Sequence, residues 1–406
     1  MPVRDWRVLS GLFFVTTTLE ALAQGQMFAF TPLYLQEFGL TPEEVARFSG
    51  LLTAGMMAVA FPLAPLWGAL SERYARKPVV VRSQLVETLS YTVLALAPGL
   101  PWVVVGRMLY GLAFGNVAVL IATQTLLTPA RFLGPAISTV QAAMPIASSI
   151  GPPIGAFLLP LVGIRGLLLV NAASCLLAGL LLSLLMPEPS TPRSKVPVLT
   201  TARRTLGLVW RRPVLRWNFA AWFLTRGAMM ILTVYLPVQI VQLEADPAPV
   251  IGFVLGVYGA IMAAATWAGG WLVGCVPPAR LFWTSMAVAA LAATGVAMAP
   301  NVAVLAVCAW LVAVPTALSA TTLYTNLAGA LAPTERTPVM SLTPFPRNTA
   351  MFAFPALGAT VAGFGPGWAL GLAAVAYAAA ALAGLRLAQV TAREPAPGTR
   401  EGAPGA

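Results

Sequence analysis

Apolar stretches long enough to cross a bilayer, about 20 residues each, recur along almost the whole chain. They run 8–36, 44–69, 79–97, 101–126, 134–161, 165–186, 214–242, 250–275, 281–299, 302–329, 338–363 and 367–389, twelve in all. Lipid satisfies no backbone hydrogen-bonding group, so spans this long and this closely spaced are helices; a transmembrane barrel would show shorter, alternating strands. With 58% hydrophobic and 9% charged residues and a mean hydropathy of +0.82, the chain cannot build a water-exposed surface of ordinary charge density. The expected architecture is an all-α membrane protein of twelve transmembrane helices, with the lipid bilayer as its solvent.

The placement of charge supplies the topology. The net charge is +11, yet a nucleic-acid partner is not expected, because the basic residues follow the connectors. Arg73, Arg76, Lys77 and Arg82, then Arg131, the segment from Arg193 to Arg216, Arg280, Arg336 and the C-terminal arginines fall on the side of both termini, whereas Arg47 and Arg165 fall on the other with Glu37, Glu43, Glu44, Glu244 and Asp246. That asymmetry places both termini in the cytoplasm. The first 24 residues mimic a signal peptide, but Glu20 interrupts the apolar core and the stretch continues to about Leu35, so no cleavage is expected. Cys175, Cys275 and Cys308 lack paired spacing and read as small core residues, and there is no histidine; no metal or cofactor is expected.

The only long polar stretch inside the chain divides six spans from six. The expected organisation is a six-helix bundle over 1–186, a basic cytoplasmic linker over 187–213, a second bundle over 214–390 and a disordered cytoplasmic tail over 391–406. Within the linker, Leu206, Val209 and Trp210 share one helical face and Arg204 and Arg211 another, which suits either a helix lying on an anionic leaflet or a solvated connector. A weak repeat of about 201 residues superposes Tyr34-Leu35 on Tyr235-Leu236 and Gly55 on Gly256. Parallel six-span repeats are a transporter architecture.

"WGALSERYARKP" after the second span spends four charges on one short connector. Gly68, Leu70, Glu72, Arg73, Arg76 and Lys77 resemble the G-x-L-a-D-r-x-G-r-k signature of the major facilitator superfamily, with Glu72 for the commoner Asp and Ala75 for Gly. Arg107, Gly111 and Gly115, spaced four apart on one helix face, resemble that family's membrane-embedded arginine motif. "SIGPPIGAF" resembles the G-P-x-x-G-G element of drug:proton antiporters through Gly151, Pro152 and Gly155. The resemblance, which is closest to twelve-span bacterial multidrug efflux pumps, implies two pseudo-symmetric six-helix bundles and a bacterial inner-membrane location. It also implies a conformational gate at Gly68, Glu72, Arg73, Arg76, Lys77, Gly111, Gly151, Pro152 and Gly155.

Five ionisable groups lie within spans: Glu20, Glu87, Arg107, Arg226 and Arg347. Each costs about 2.5–3.5 kcal/mol at mid-helix, so each must be paired, hydrated or used. Glu20 and Arg226 lie at similar depth in the first span of each half, lining the central cavity in the resemblance. Gln24 shares Glu20's face, and Arg347 with Asn348 approaches from span 11. Glu87 is expected to form a local salt bridge near Arg82. Neither lysine, Lys77 nor Lys195, stands in a G-K-[ST] phosphate loop, which excludes such an ATP site. A proton moving through about 150 mV yields about 3.5 kcal/mol, and a carboxylate must carry it in a chain without histidine. Glu20 is the candidate, against the alternative of a fixed ion pair with Arg226 or Arg107.

The substrate is expected to be an amphipathic small molecule, exported by alternating access from a cavity lined by Gln24, Arg107, Arg226, Arg347, Asn348 and Tyr324, with Phe114, Met229 and Met230 among further lining candidates. The buried arginines leave a second reading open, a transporter of anionic metabolites or lipids. No nucleophile, paired-carboxylate or histidine-cluster motif suggests an enzyme. A monomer is expected.

Overall fold

The structure is a computed structural model that describes residues 5–73, 75–114, 116–188, 211–331, 335, 339–340 and 342–393, with the backbone only for 64–73, Ala118 and Ala130. Among the described residues, twelve α-helices carry the fold. α1 (Trp6–Gln36), α2 (Pro42–Arg73), α3 (Arg76–Ala95), α4 (Leu100–Ala113), α5 (Asn116–Leu127) and α6 (Leu133–Leu185) precede the linker; α7 (Pro213–Leu243), α8 (Pro247–Cys275), α9 (Pro278–Ala297), α10 (Val302–Gly329), α11 (Pro344–Val361) and α12 (Pro366–Arg393) follow it. Most of the linker and of the tail, residues 189–210 and 394–406, lie outside the described residues.

The helices follow the expected spans with one departure. The stretch expected as one span over 101–126 is broken: Phe114 takes φ −59° and ψ 137°, ending α4, and α5 begins at Asn116. The spans expected over 134–161 and 165–186 are the two arms of the 53-residue α6, which meet at its one non-helical residue, Gly163 at φ 68° and ψ 174°. A straight helix of that length would be about 80 Å long, more than twice the hydrocarbon core of about 30 Å, so the chain must turn at Gly163. Among the described residues, eight helices are long and apolar enough to cross a membrane. The others are α3, which carries Arg82, Gln84 and Glu87, the two pieces α4 and α5, and the short α11.

Local chemistry sets the ends. Asp5 caps α1 by accepting the Arg7 amide at 2.9 Å. At the start of α2, Thr41 and Glu44 form a reciprocal capping box, each side chain accepting the other's backbone N–H, at 3.3 and 2.9 Å. α3 has no such residue of its own, since Ala75 precedes it. Instead the carboxylate of Glu188, just past α6, accepts the backbone N–H groups of Arg76 and Lys77, both at 2.8 Å. A carboxylate at a helix N-terminus satisfies orphan donors and meets the positive end of the helix dipole.

The chain divides into two compact units, Met1–Lys195 with Thr233–Ala260 and Val196–Leu232 with Ile261–Ala406, so α7 and α8 each contribute to both. In the first unit α1 and α3 pack on α6, and α4 packs on α3 and α2. Contact is close where side chains are absent: a Cβ on Gly111 would run into the Met56 carbonyl of α2, and one on Gly155 would lie 2.5 Å from the Phe30 ring of α1. In the second unit α9 packs on α10 and α12, and Thr316 shares a 2.8 Å hydrogen bond with Tyr377. Before α7, Arg212 makes a two-pronged pair with Glu335, both bonds 2.9 Å. Large apolar side chains lie on the outside, Phe157 at 71%, Trp267 at 74% and Leu291 at 77% exposure, as a surface solvated by acyl chains requires.

Candidate functional site

Three helices converge on Glu20. From α1 its carboxylate Oε2 accepts the Gln84 amide of α3 at 2.9 Å and the Asn116 amide of α5 at 2.6 Å. Asn116 is in reach because of the break at Phe114, which brings the first residue of α5 to the carboxylate. Glu87, one helical turn beyond Gln84, is 1% exposed; it accepts the Cys175 thiol of α6 at 3.6 Å, and it lies within side-chain reach of the Glu20 carboxyl. The salt bridge expected for Glu87 near Arg82 is not what forms. Arg82 reaches the Leu112 carbonyl at 3.4 Å and Ser83 at 3.2 Å, because α3 turns its Gln84 and Glu87 face inward and leaves Arg82 beside α4.

Arg107 is 2% exposed. It donates to the Thr31 hydroxyl, lies 5.9 Å from the Phe28 ring centroid, and lines a small cavity of about 20 Å³ with Tyr34 and Asn171. Gln24 is half-buried on α1, one turn past Glu20. The gate candidates of α6 pack against α1: the Gly151 carbonyl accepts the Gln26 amide at 3.2 Å. Pro152 is buried beside it, and its carbonyl would lie 3.2 Å from a Cβ on Gly252 of α8. Arg76 reaches the Ala122 carbonyl at 3.1 Å and Lys77 presents its backbone to Glu188. Gly115 and the side chains of Gly68, Glu72 and Arg73 lie outside the described residues.

The second unit holds the other two arginines. Arg347 of α11 donates to the Tyr324 hydroxyl of α10 at 3.3 Å, and its guanidinium sits 5.3 Å from the centroid of the Trp222 ring. Trp222 meets Tyr324 edge to face, with centroids 4.8 Å apart, so one cation is held by a hydroxyl and an aromatic face. One turn along α7, Arg226 contacts the sulfurs of Met229 at 3.3 Å and Met351 at 3.8 Å. Asn348 is half-buried next to Arg347. Trp222 could have been found from its i, i+4 spacing to Arg226; Asn116 could not, because nothing in "GLAFGNVAVL" marks the helix break that positions it.

Apolar helices that enclose a few ionisable side chains, each held by other helices, are the make-up of a helical membrane transporter. Residues 12–341 match the Major Facilitator Superfamily, and the chain belongs to that family. Among its relatives, the multi-drug resistance efflux pump PmrA of Streptococcus pneumoniae serotype 4 is 30% identical over 175 residues, 42% of this chain and 43% of that protein. The multidrug resistance protein MdtG of Proteus mirabilis is 29% identical over 214 residues, 51% of this chain and 52% of that protein. The chain thus spans about half the length of the curated relatives it matches. A bacterial homolog of the human lysosomal transporter Spinster superposes with a TM-score of 0.72 at 14% identity over 96% of each chain. A D-xylose-proton symporter superposes at 0.71 and 15% identity, over 92% of this chain and 95% of that one. At these identities the structures speak to fold alone: all-α, multi-pass, the major facilitator fold that the motifs led us to expect.

Proposed function

We propose that this chain is a proton-coupled exporter of amphipathic small molecules, working by alternating access, with Glu20 as the coupling carboxylate. The observation that carries the reading is the set of partners around Glu20: neutral amides from Gln84 and Asn116 rather than a fixed cation. A carboxylate locked in an ion pair has little occasion to take up a proton, whereas one held by amides changes protonation state as its surroundings change. The likeness to efflux pumps in two bacteria supports export and a cell-membrane location, and the charge asymmetry of the connectors supports cytoplasmic termini. The bundle boundaries at 186 and 214, the gate residues and a monomeric state belong to the same reading.

Reconstituted vesicles test it. With a pH gradient imposed, ethidium should move against its own gradient in the wild type and only down it in Glu20→Gln. Gradient-driven movement surviving in that variant removes Glu20 from the coupling step.

One observation favours a second reading. Arg347 has a hydroxyl and an indole ring as partners, which leaves its positive charge available to a carboxylate on an aromatic substrate. Competition between ethidium and an aromatic carboxylate such as 1-naphthoate separates the two.

A further inference from the structure

The mechanism above uses Glu20 alone, yet a second carboxyl stands behind it. Glu20 is half-buried; Glu87, on α3, is sealed at 1% exposure. Two ionised carboxylates cannot face each other at hydrogen-bonding reach in so apolar a place, since like charges there repel strongly. One proton between them resolves the conflict, with a carboxylic acid donating to a carboxylate. The rest of the geometry says which is which. Two amide N–H groups donated to Glu20 Oε2 favour its ionised form, whereas Glu87 accepts only the weaker Cys175 thiol, so Glu87 is the member that holds the proton and donates.

Among the described residues of this unit, nothing cationic competes for the site. On α3, Arg82 is directed to Leu112 and Ser83. From α4, Arg107 is turned to Thr31 and Phe28, and Tyr110 packs edge to face on Tyr91 of α3 with centroids 5.7 Å apart. α5 offers the neutral Asn116 and α6 the thiol of Cys175. Among the described residues of this unit, no guanidinium or ammonium touches either carboxyl.

We propose that Glu20 and Glu87 form one proton-binding site, a carboxyl pair that shares a proton, with Glu20 as its water-facing member and Glu87 as its inner one. Taking a further proton from water makes the pair neutral; releasing that proton to water returns it to a single negative charge. Glu87 is therefore a positioning and storage residue for the coupling carboxylate rather than a salt-bridge partner. The pair rests on the placement and burial of the two carboxyls, while its part in transport rests on the proton-coupled reading above.

Infrared difference spectroscopy of the full chain in vesicles, with no substrate present, reads the pair directly. At neutral pH the wild type should show a protonated-carboxyl C=O band that Glu87→Gln abolishes and Glu20→Gln shifts in frequency. A wild type without that band, or a band that Glu20→Gln leaves unmoved, overturns the sharing. Glu87→Asp keeps the acid on a shorter arm and should retain a displaced band, which separates loss of the pair from loss of the fold. The transport arm is independent: pH-gradient-driven ethidium movement should be lost in Glu87→Gln while ethidium binding persists. If the band behaves as expected and transport in Glu87→Gln is unchanged, the inner carboxyl has no part in coupling. If Glu20→Gln alone transports normally, the failure belongs to the proposed function and not to the pair.

Discussion

A charged side chain inside this molecule keeps company with neutral groups, and that is what gives each its use. Arg347 lies over an indole and against a phenol, an arrangement suited to a planar guanidinium and not to an ammonium. Arg347→Lys keeps the charge but gives up the stacking; if the cluster recognises carboxylates, we expect 1-naphthoate to bind about 2- to 30-fold more weakly, about 0.5–2 kcal/mol, with ethidium unaffected, in a competition assay. Gly163 is the other residue whose identity is dictated locally. Its φ of 68° with ψ of 174° lies in a region open to glycine almost alone, so Gly163→Ala should cost about 1–3 kcal/mol, seen as a lower thermal midpoint in detergent. Single residues were legible in the sequence to different depths. That Glu20 must be accommodated follows from its place in an apolar span; that Glu87 is what it faces does not, because the two lie on different helices and only the packing of α1 and α3 on α6 unites them.

At the scale of the element, the helices and the turn at Gly163 were readable and the break at Phe114 was not. Bilayer thickness enforces long apolar runs, so the spans stand out from the sequence, whereas the break at Phe114 sits in a run that is apolar on both sides and has no proline beside it. The break serves the site by delivering Asn116 to Glu20. The cap on α3 is a second contribution from afar. Glu188 was part of the connector in the sequence and proves to satisfy the first amides of α3 across more than a hundred residues. Glu188→Ala should lower stability by about 1 kcal/mol, the usual worth of a helix cap, and because the carboxylate is exposed the difference should shrink at high salt. Thermal unfolding at two ionic strengths checks both statements.

For the molecule as a whole, composition dictated the solvent, charge asymmetry suggested the orientation, and short motifs pointed to the family. The arrangement of Glu20 with Glu87, and of Arg347 with Trp222, needed the fold. Orientation has a built-in probe. Cys275, at the end of α8, is exposed, while Cys175 is buried and Cys308 half-buried. If the connector after α8 is cytoplasmic, a membrane-impermeant maleimide added to intact cells should leave Cys275 unlabelled and should label it once the cells are opened; labelling in intact cells would invert the assigned topology. The turn at Gly163 bears on what can be spliced into the chain. With a single residue out of helix between the two arms of α6, a reporter domain inserted at that point would have to unwind helix on both sides before it could hang free.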